Sequence, residues 1–152
     1  MEVVYMRRNS IKKMTDRDLS RVMKIWLECN LQAHDFISAG YWKGQYENVK
    51  CMIPDAEVYV CERGDKIAGF VGLSGDYIAG IFVDPELQSQ GIGRMLLDYV
   101  KAIKPQLQLN VYEKNKRAVK FYQREGFVII SEGVDENTDE AEFLMKFERR
   151  SC

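Results

Sequence analysis

Between Ile81 and Val100 the chain reads Ile-Phe-Val-Asp-Pro-Glu-Leu-Gln-Ser-Gln-Gly-Ile-Gly-Arg-Met-Leu-Leu-Asp-Tyr-Val, and few folds accommodate such a stretch. Ile81, Phe82 and Val83 are a continuous apolar run, as in a buried strand, closed by Asp84-Pro85 because proline cannot continue a ladder. Met95, Leu96, Tyr99 and Val100 then recur at helical spacing, so a helix opens near Gly91. Its first backbone N–H groups have no partner within the helix, and glycine at 91 and 93 removes the side chains that would hold a ligand off them. The positive end of the helix dipole adds attraction for an anion. The segment therefore predicts a phosphate seat, or else a tight strand-to-helix turn that needs small residues. A dinucleotide fingerprint would need a third glycine where Leu96 stands, and no Gly-Lys-Ser or Gly-Lys-Thr is present for a nucleoside triphosphate loop.

The rest of the chain is compatible with one domain. Its 152 residues can bury a sufficient core without disulfides or metal, and 46% apolar with 30% charged residues is ordinary for a globular protein. A net charge of −1 gives no basic field for nucleic acid, and no apolar run is long enough to span a membrane. The N-terminus lacks the regions of a signal peptide. Cys29, Cys51, Cys61 and Cys152 form no Cys-x-x-Cys, and a lone His34 brings no second metal ligand, so reduced packing cysteines, no metal and a cytoplasmic location are expected.

In order, the patterns predict a strand ending near Met14 and a Thr15–Asp18 capping box before a helix to about Gln32. An aromatic connection from His34 to Trp42 leads into a helix from about Gly40 to Met52. Strands follow at Glu57–Glu62, Ile67–Leu73 and Tyr77–Val83, then the glycine-led helix, a strand at Gln106–Tyr112 and a helix at Lys116–Arg124. A strand from Phe127, a polar acidic loop from Glu132 to Glu140 and a last strand at Glu142–Phe147 complete the chain. Early hairpins and late strand–helix–strand crossovers predict an α+β fold: a mixed, mostly antiparallel central sheet with helices on both faces.

Two motifs carry a family resemblance. Gln88-x-x-Gly91-x-Gly93 after a strand resembles the coenzyme A pyrophosphate loop of the GNAT superfamily of N-acetyltransferases. Asn115-x-x-Ala118-x-x-Phe121-Tyr122-x-x-x-Gly126-Phe127 is similar to a second signature of that family at every fixed position, and the element order is that of its fold. Asn115, Ala118 and Tyr122 fall on one helix face, leaving a shallow polar slot unless Asn115 merely caps and Tyr122 merely packs.

The resemblance implies acetyl-CoA as cosubstrate and direct acyl transfer to an amine. Main chain of Ile81, Phe82 and Val83 would pair with pantetheine, and N–H groups of Gln88, Ser89, Gln90, Gly91, Ile92, Gly93 and Arg94 would hold the pyrophosphate. Asn115, Ala118 and Tyr122 would line the cofactor slot, with Tyr122 as acid to the leaving thiolate. Arg94, Lys116, Arg117 and Lys120 are phosphate counter-cations or solvated surface. Where the histone-type branch has a glutamate, eleven residues before Gln88, this chain has Tyr77 beside Asp76. The base is therefore open among Asp76, Glu113, His34 and a water relay. His34, Phe36, Trp42 and Tyr77 would face the acceptor, through a stretch similar to small bacterial GNAT proteins that include protein-lysine acetyltransferase-like members, or they would be ordinary packing. The expected partners are acetyl-CoA and an amine, with the protein a monomer or homodimer. A non-catalytic acyl-CoA-binding regulator or a partner-binding protein is the alternative.

Overall fold

The computed structural model describes residues 9–150, so the readings made for residues 1–8 and for Cys152 lie outside the described residues. Among the described residues seven strands form one sheet in the order β1-β2-β3-β4-β5-β7-β6. They are β1 (Asn9–Lys13), β2 (Glu57–Arg63), β3 (Lys66–Ser74), β4 (Tyr77–Val83), β5 (Gln106–Tyr112), β6 (Val128–Asp135) and β7 (Glu140–Glu148). The helices are α1 (Leu19–Ala33), α2 (Ala39–Met52), α3 (Ile92–Ile103) and α4 (Lys116–Arg124). This is the mixed, mostly antiparallel sheet with helices on both faces that the patterning predicts.

The helices on each face follow from apolar stripes. On one face, Ile92, Leu96, Leu97 and Val100 of α3 pack with Val71, Leu73, Leu107, Leu109 and Met145 of the sheet, and with Tyr122 and Phe127 after them. Each such aliphatic side chain contributes about 1.5–3 kcal/mol by leaving water. On the other face, Val22, Met23, Ile25 and Trp26 of α1 and Trp42 of α2 cover Val58, Val60, Ile67 and Phe70. The predicted capping box is formed: the Asp18 carboxylate accepts the Thr15 N–H at 2.9 Å, in a short 3-10 turn ahead of α1.

The feature that positions the site is the junction of β4 and β5. These parallel neighbours pair only at Tyr77 with Gln108, whereas β5 and β7 pair along the whole of β5. Past that point β4 and β5 part toward their C-terminal ends. A bulge contributes: Gly72 faces Gly80 but Leu73 faces Ile78, which leaves Ala79 as an extra residue and turns the strand. The two strands thus enclose a wedge whose open end lies where α3 and α4 begin.

One expectation is corrected. The acidic stretch from Glu132 is strand, not loop, as far as Asp135, and β7 already starts at Glu140. Nearly every residue of β6 is exposed, Val128, Ile130 and Val134 among them, so this edge strand carries no inside–outside alternation. The turn between β6 and β7 is tight enough to hold Asp139 at φ +60.

Candidate active site

The loop from β4 to α3 is built as an open cradle. Asp84 caps the short turn at Pro85–Leu87 by accepting the Glu86 N–H at 2.9 Å, and it is paired with Arg21 of α1. Despite its burial, those two contacts hold its carboxyl below the usual carboxylate range. The chain then runs through Ser89 at φ +65 and Gly91 at φ +83, a conformation in which a Cβ is strained. α3 opens at Ile92, and no side chain caps it. A Cβ at Gly91 would meet no protein atom within 4 Å. N–H groups of Ile92, Gly93 and Arg94 are thus unpaired by helix geometry and reachable. These residues fit a diphosphate.

Of the basic residues named from the sequence, Arg117 reaches this loop. Its guanidinium donates to Gln88 Oε1 at 3.2 Å and to Ser89 Oγ at 2.8 Å. Arg94 instead lies toward Asp98 and Glu125, at 3.8 and 3.7 Å, along the helix rather than over its first turn. On the opposite side Arg63 binds the Gln90 side-chain oxygen. Val83 has two main-chain groups to account for. Its carbonyl accepts the Cys29 thiol at 2.9 Å and the Gln88 amide at 3.2 Å and so anchors the loop, which leaves its N–H as the group for a ligand. Burial and this contact's neighbours leave the Cys29 thiol pushed up to about 12, unfit as a nucleophile. Ile81 and Val83 side chains pack on the α3 face and Phe82 stacks on Phe70, which leaves main chain as what β4 can offer the wedge.

α4 forms the other lip. Asn115 caps it, its Oδ1 accepting the Ala118 N–H at 3.3 Å. Two turns on, the Tyr122 ring is buried between Phe121 and Phe127. Its hydroxyl has no hydrogen-bond partner among the described residues. Burial raises the phenol above its ordinary value, and the group stays protonated.

The expected acceptor residues divide. His34, Phe36 and Trp42 do come together, with Tyr112 of β5 closing the cluster. His34 stacks on Trp42 at 5.3 Å and meets the edges of Tyr112 and Phe36 at 5.0 and 5.7 Å. Trp42, only 8% exposed, backs the cluster instead of facing an acceptor. Tyr77 stands at the closed end of the wedge, where its phenol donates to Asn110 Oδ1 of β5 at 2.7 Å. Asp76 occupies the exposed turn before β4, and its carboxylate accepts the Gln106 amide at 3.2 Å. The reading of His34 as a base is corrected. Nδ1 is 3.0 Å from Asn30 Oδ1 and Nε2 is 3.2 Å from Asn115 Nδ2, and desolvation lowers its pKa to about 4. A ring whose two nitrogens are both bonded has no lone pair for a substrate proton.

Two participants were missed in the sequence, Asn30 and Tyr112. Asn30 had a signal, as an amide one turn before His34 on an otherwise apolar stripe. Tyr112, whose hydroxyl donates to Asp135 Oδ2 at 2.5 Å, had none beyond strand alternation. Among the described residues no group of His, Cys, Asp or Glu is arranged to hold a metal ion.

Comparison with known proteins agrees with this geometry. A sequence model described as an acetyltransferase (GNAT) domain matches residues 54–129, half of the chain. The peptidyl-lysine N-acetyltransferase YiaC of Escherichia coli K12 is 33% identical over 139 residues, covering 90% of this chain and 95% of that one. The solution structure of apo YjaB from Escherichia coli superposes with a TM-score of 0.83 at 28% identity, over 94% of this chain and 99% of that one. An acetyltransferase from Bacillus anthracis strain Ames, solved in complex with acetyl coenzyme A, shares 26% identity at a TM-score of 0.57, over 62% of this chain and 63% of that one. The GNAT-domain match over half of the chain, with 33% identity to YiaC across 90% of it, makes this chain a member of the GNAT family of acetyltransferases.

Proposed function

We propose that the chain transfers the acetyl group of acetyl-CoA directly to a primary amine in a ternary complex, the ε-amine of a peptide lysine foremost. The observation that carries this reading is the wedge between β4 and β5, with the uncapped first turn of α3 on one lip and Asn115, Ala118 and Tyr122 on the other. A thioester on a diphosphate-bearing carrier fits that layout: phosphates at residues 88–94, an amide-bearing arm along β4, the reacting carbonyl near Tyr122. The relatives' names, peptidyl-lysine N-acetyltransferases, support lysine as the acceptor class.

The chemistry asks little of exotic groups. The neutral amine attacks the thioester carbonyl, a C–N bond forms, the C–S bond breaks, and the electron pair leaves on sulfur. Tyr122, kept neutral by burial, donates a hydrogen bond to that developing thiolate. A phenol raised above its ordinary pKa of about 10 stabilises a thiolate whose reference value is about 8.5 without having to surrender its proton fully. With His34 engaged at both nitrogens, the amine's proton leaves through water, with the exposed carboxylates of Asp76 and Glu113 still open to receive it. Beside the wedge, Asp135 and Glu142 supply negative charge near Tyr77 and Tyr112, and burial with the Asp135 charge raises the Glu142 carboxyl. Such a rim favours a cationic acceptor.

The test is thiol release from acetyl-CoA with lysine peptides, α-amine peptides and small amines in parallel. Lysine peptides turned over fastest is the expected result. Binding of acetyl-CoA with no thiol release from any amine would instead indicate a non-catalytic acyl-CoA sensor, and no binding would refute the reading.

A further inference from the structure

The single histidine of the chain sits in a relay of hydrogen bonds that joins the two faces of the site. It starts at Asn30, which is 4% exposed on α1 and donates from Nδ2 to the Trp26 carbonyl at 2.9 Å. That contact fixes which end of the amide is which, so the atom 3.0 Å from His34 Nδ1 is oxygen. Oxygen cannot donate; Nδ1 must therefore carry the hydrogen. The other end gives the same answer independently. Asn115 Oδ1 accepts the Ala118 N–H, so the atom facing His34 Nε2 at 3.2 Å is Nδ2, a donor, and Nε2 must present its lone pair. The opposite tautomer would set two donors against each other at Asn115 and two lone pairs against each other at Asn30.

We propose that His34 is a positioning residue: a neutral, Nδ1–H imidazole that holds Asn115 in one of its two amide orientations and so fixes the first turn of α4 beside the wedge. The proposal rests on the reading of that turn as part of the acetyl-transfer site. Protonation of Nε2 would force Asn115 to turn its oxygen toward the ring, and the Ala118 N–H would lose its cap. The surroundings prevent it. Trp42 stacks on the ring, and Phe36 and Tyr112 close its edges. The titratable and charged neighbours are Tyr41 on α2 against Trp42, Tyr112 on β5 with Asp135 of β6 at its hydroxyl, Asp35 in the connection, and Lys114 5.6 Å above the Phe36 ring. Among the described residues the hydrogen-bond partners of the ring nitrogens are Asn30 and Asn115 alone.

Nitrogen-15 histidine NMR of the whole chain tests this directly, because only one imidazole contributes. The expected spectrum is that of the Nδ1–H tautomer, unchanged from about pH 8 to about pH 5, where a free imidazole with pKa about 6.5 would titrate. The Nε2–H tautomer, or a midpoint near that free value, overturns the proposal. This readout stands whether or not any amine is acetylated. A kinetic arm separates positioning from packing. His34→Ala should lower kcat/KM about tenfold, the scale of one lost hydrogen bond, and His34→Gln should restore part of it through an oxygen that accepts from Asn115. Adding His34→Ala to Asn115→Ala should cost little more than Asn115→Ala by itself. Additive losses, with no rescue by glutamine, would mean that His34 only fills space.

Discussion

Tyr122→Phe removes one oxygen and leaves the buried ring against Phe121 and Phe127. Stability should change little, whereas kcat should fall about 10- to 100-fold, the range set by losing a hydrogen bond to a developing charge. Isothermal titration with acetyl-CoA should show nearly unchanged affinity; a parallel loss of binding would assign the hydroxyl to the ground state. Arg117 makes the complementary case. Its guanidinium is exposed and holds Gln88 and Ser89. Arg117→Ala is expected to raise the KM for acetyl-CoA several-fold at low salt and less at high salt, with kcat preserved. If KM stays put at low ionic strength, the cation does not serve the phosphates. Which residue of the basic set would do this was not legible in the sequence, because Arg94, Lys116, Arg117 and Lys120 all read as surface and only the packing of α4 against the loop distinguishes them.

At the level of elements, the start of α3 separates two kinds of glycine. Gly91 is needed for its backbone, at φ +83, so Gly91→Ala should cost about 1 kcal/mol of stability in chemical unfolding. Gly93 lies inside the helix, and a methyl there would sit at ordinary contact distances from Phe121 and Val83, 3.7 and 3.8 Å. Gly93→Ala should leave stability unchanged or raise it, since alanine favours helix. Any weakening of acetyl-CoA binding in that variant then measures how closely a ligand approaches the helix N-terminus. Unchanged affinity would place the phosphates elsewhere. The strand, turn and helix around these glycines were readable because three signals coincide: an apolar run, a proline stop and a helical stripe. The second half of β6 was not, since an exposed edge segment carrying Glu132, Gly133 and Asp135 looks like a loop until its partner is known.

For the molecule as a whole, acid should be the weak side. The His34 pKa is about 4 in the folded protein against an unfolded reference near 6.5, so the unfolded chain takes up a proton first as pH falls. Stability is then full above about pH 6.5 and declines toward pH 4, by roughly 1–2 kcal/mol once partial exposure is discounted. Asp84, held below its usual range by Glu86 and Arg21, removes more below about pH 4, while the raised Glu142 works in the opposite sense. Urea unfolding at a series of pH values checks this, and His34→Gln should flatten the decline above pH 4.

By itself the sequence determined the order and type of nearly every element, the glycine-led start of α3 and the Asn–Ala–Tyr helix face, because those depend on periodicities and spacings within single segments. Only the tertiary structure decided the wedge, since parting of β4 from β5 is a relation between strands separated by a whole helix. It also decided the partners of His34: an imidazole beside aromatics reads as a base until Asn30 and Asn115, 85 positions apart in the chain, are seen to lie against both of its nitrogens.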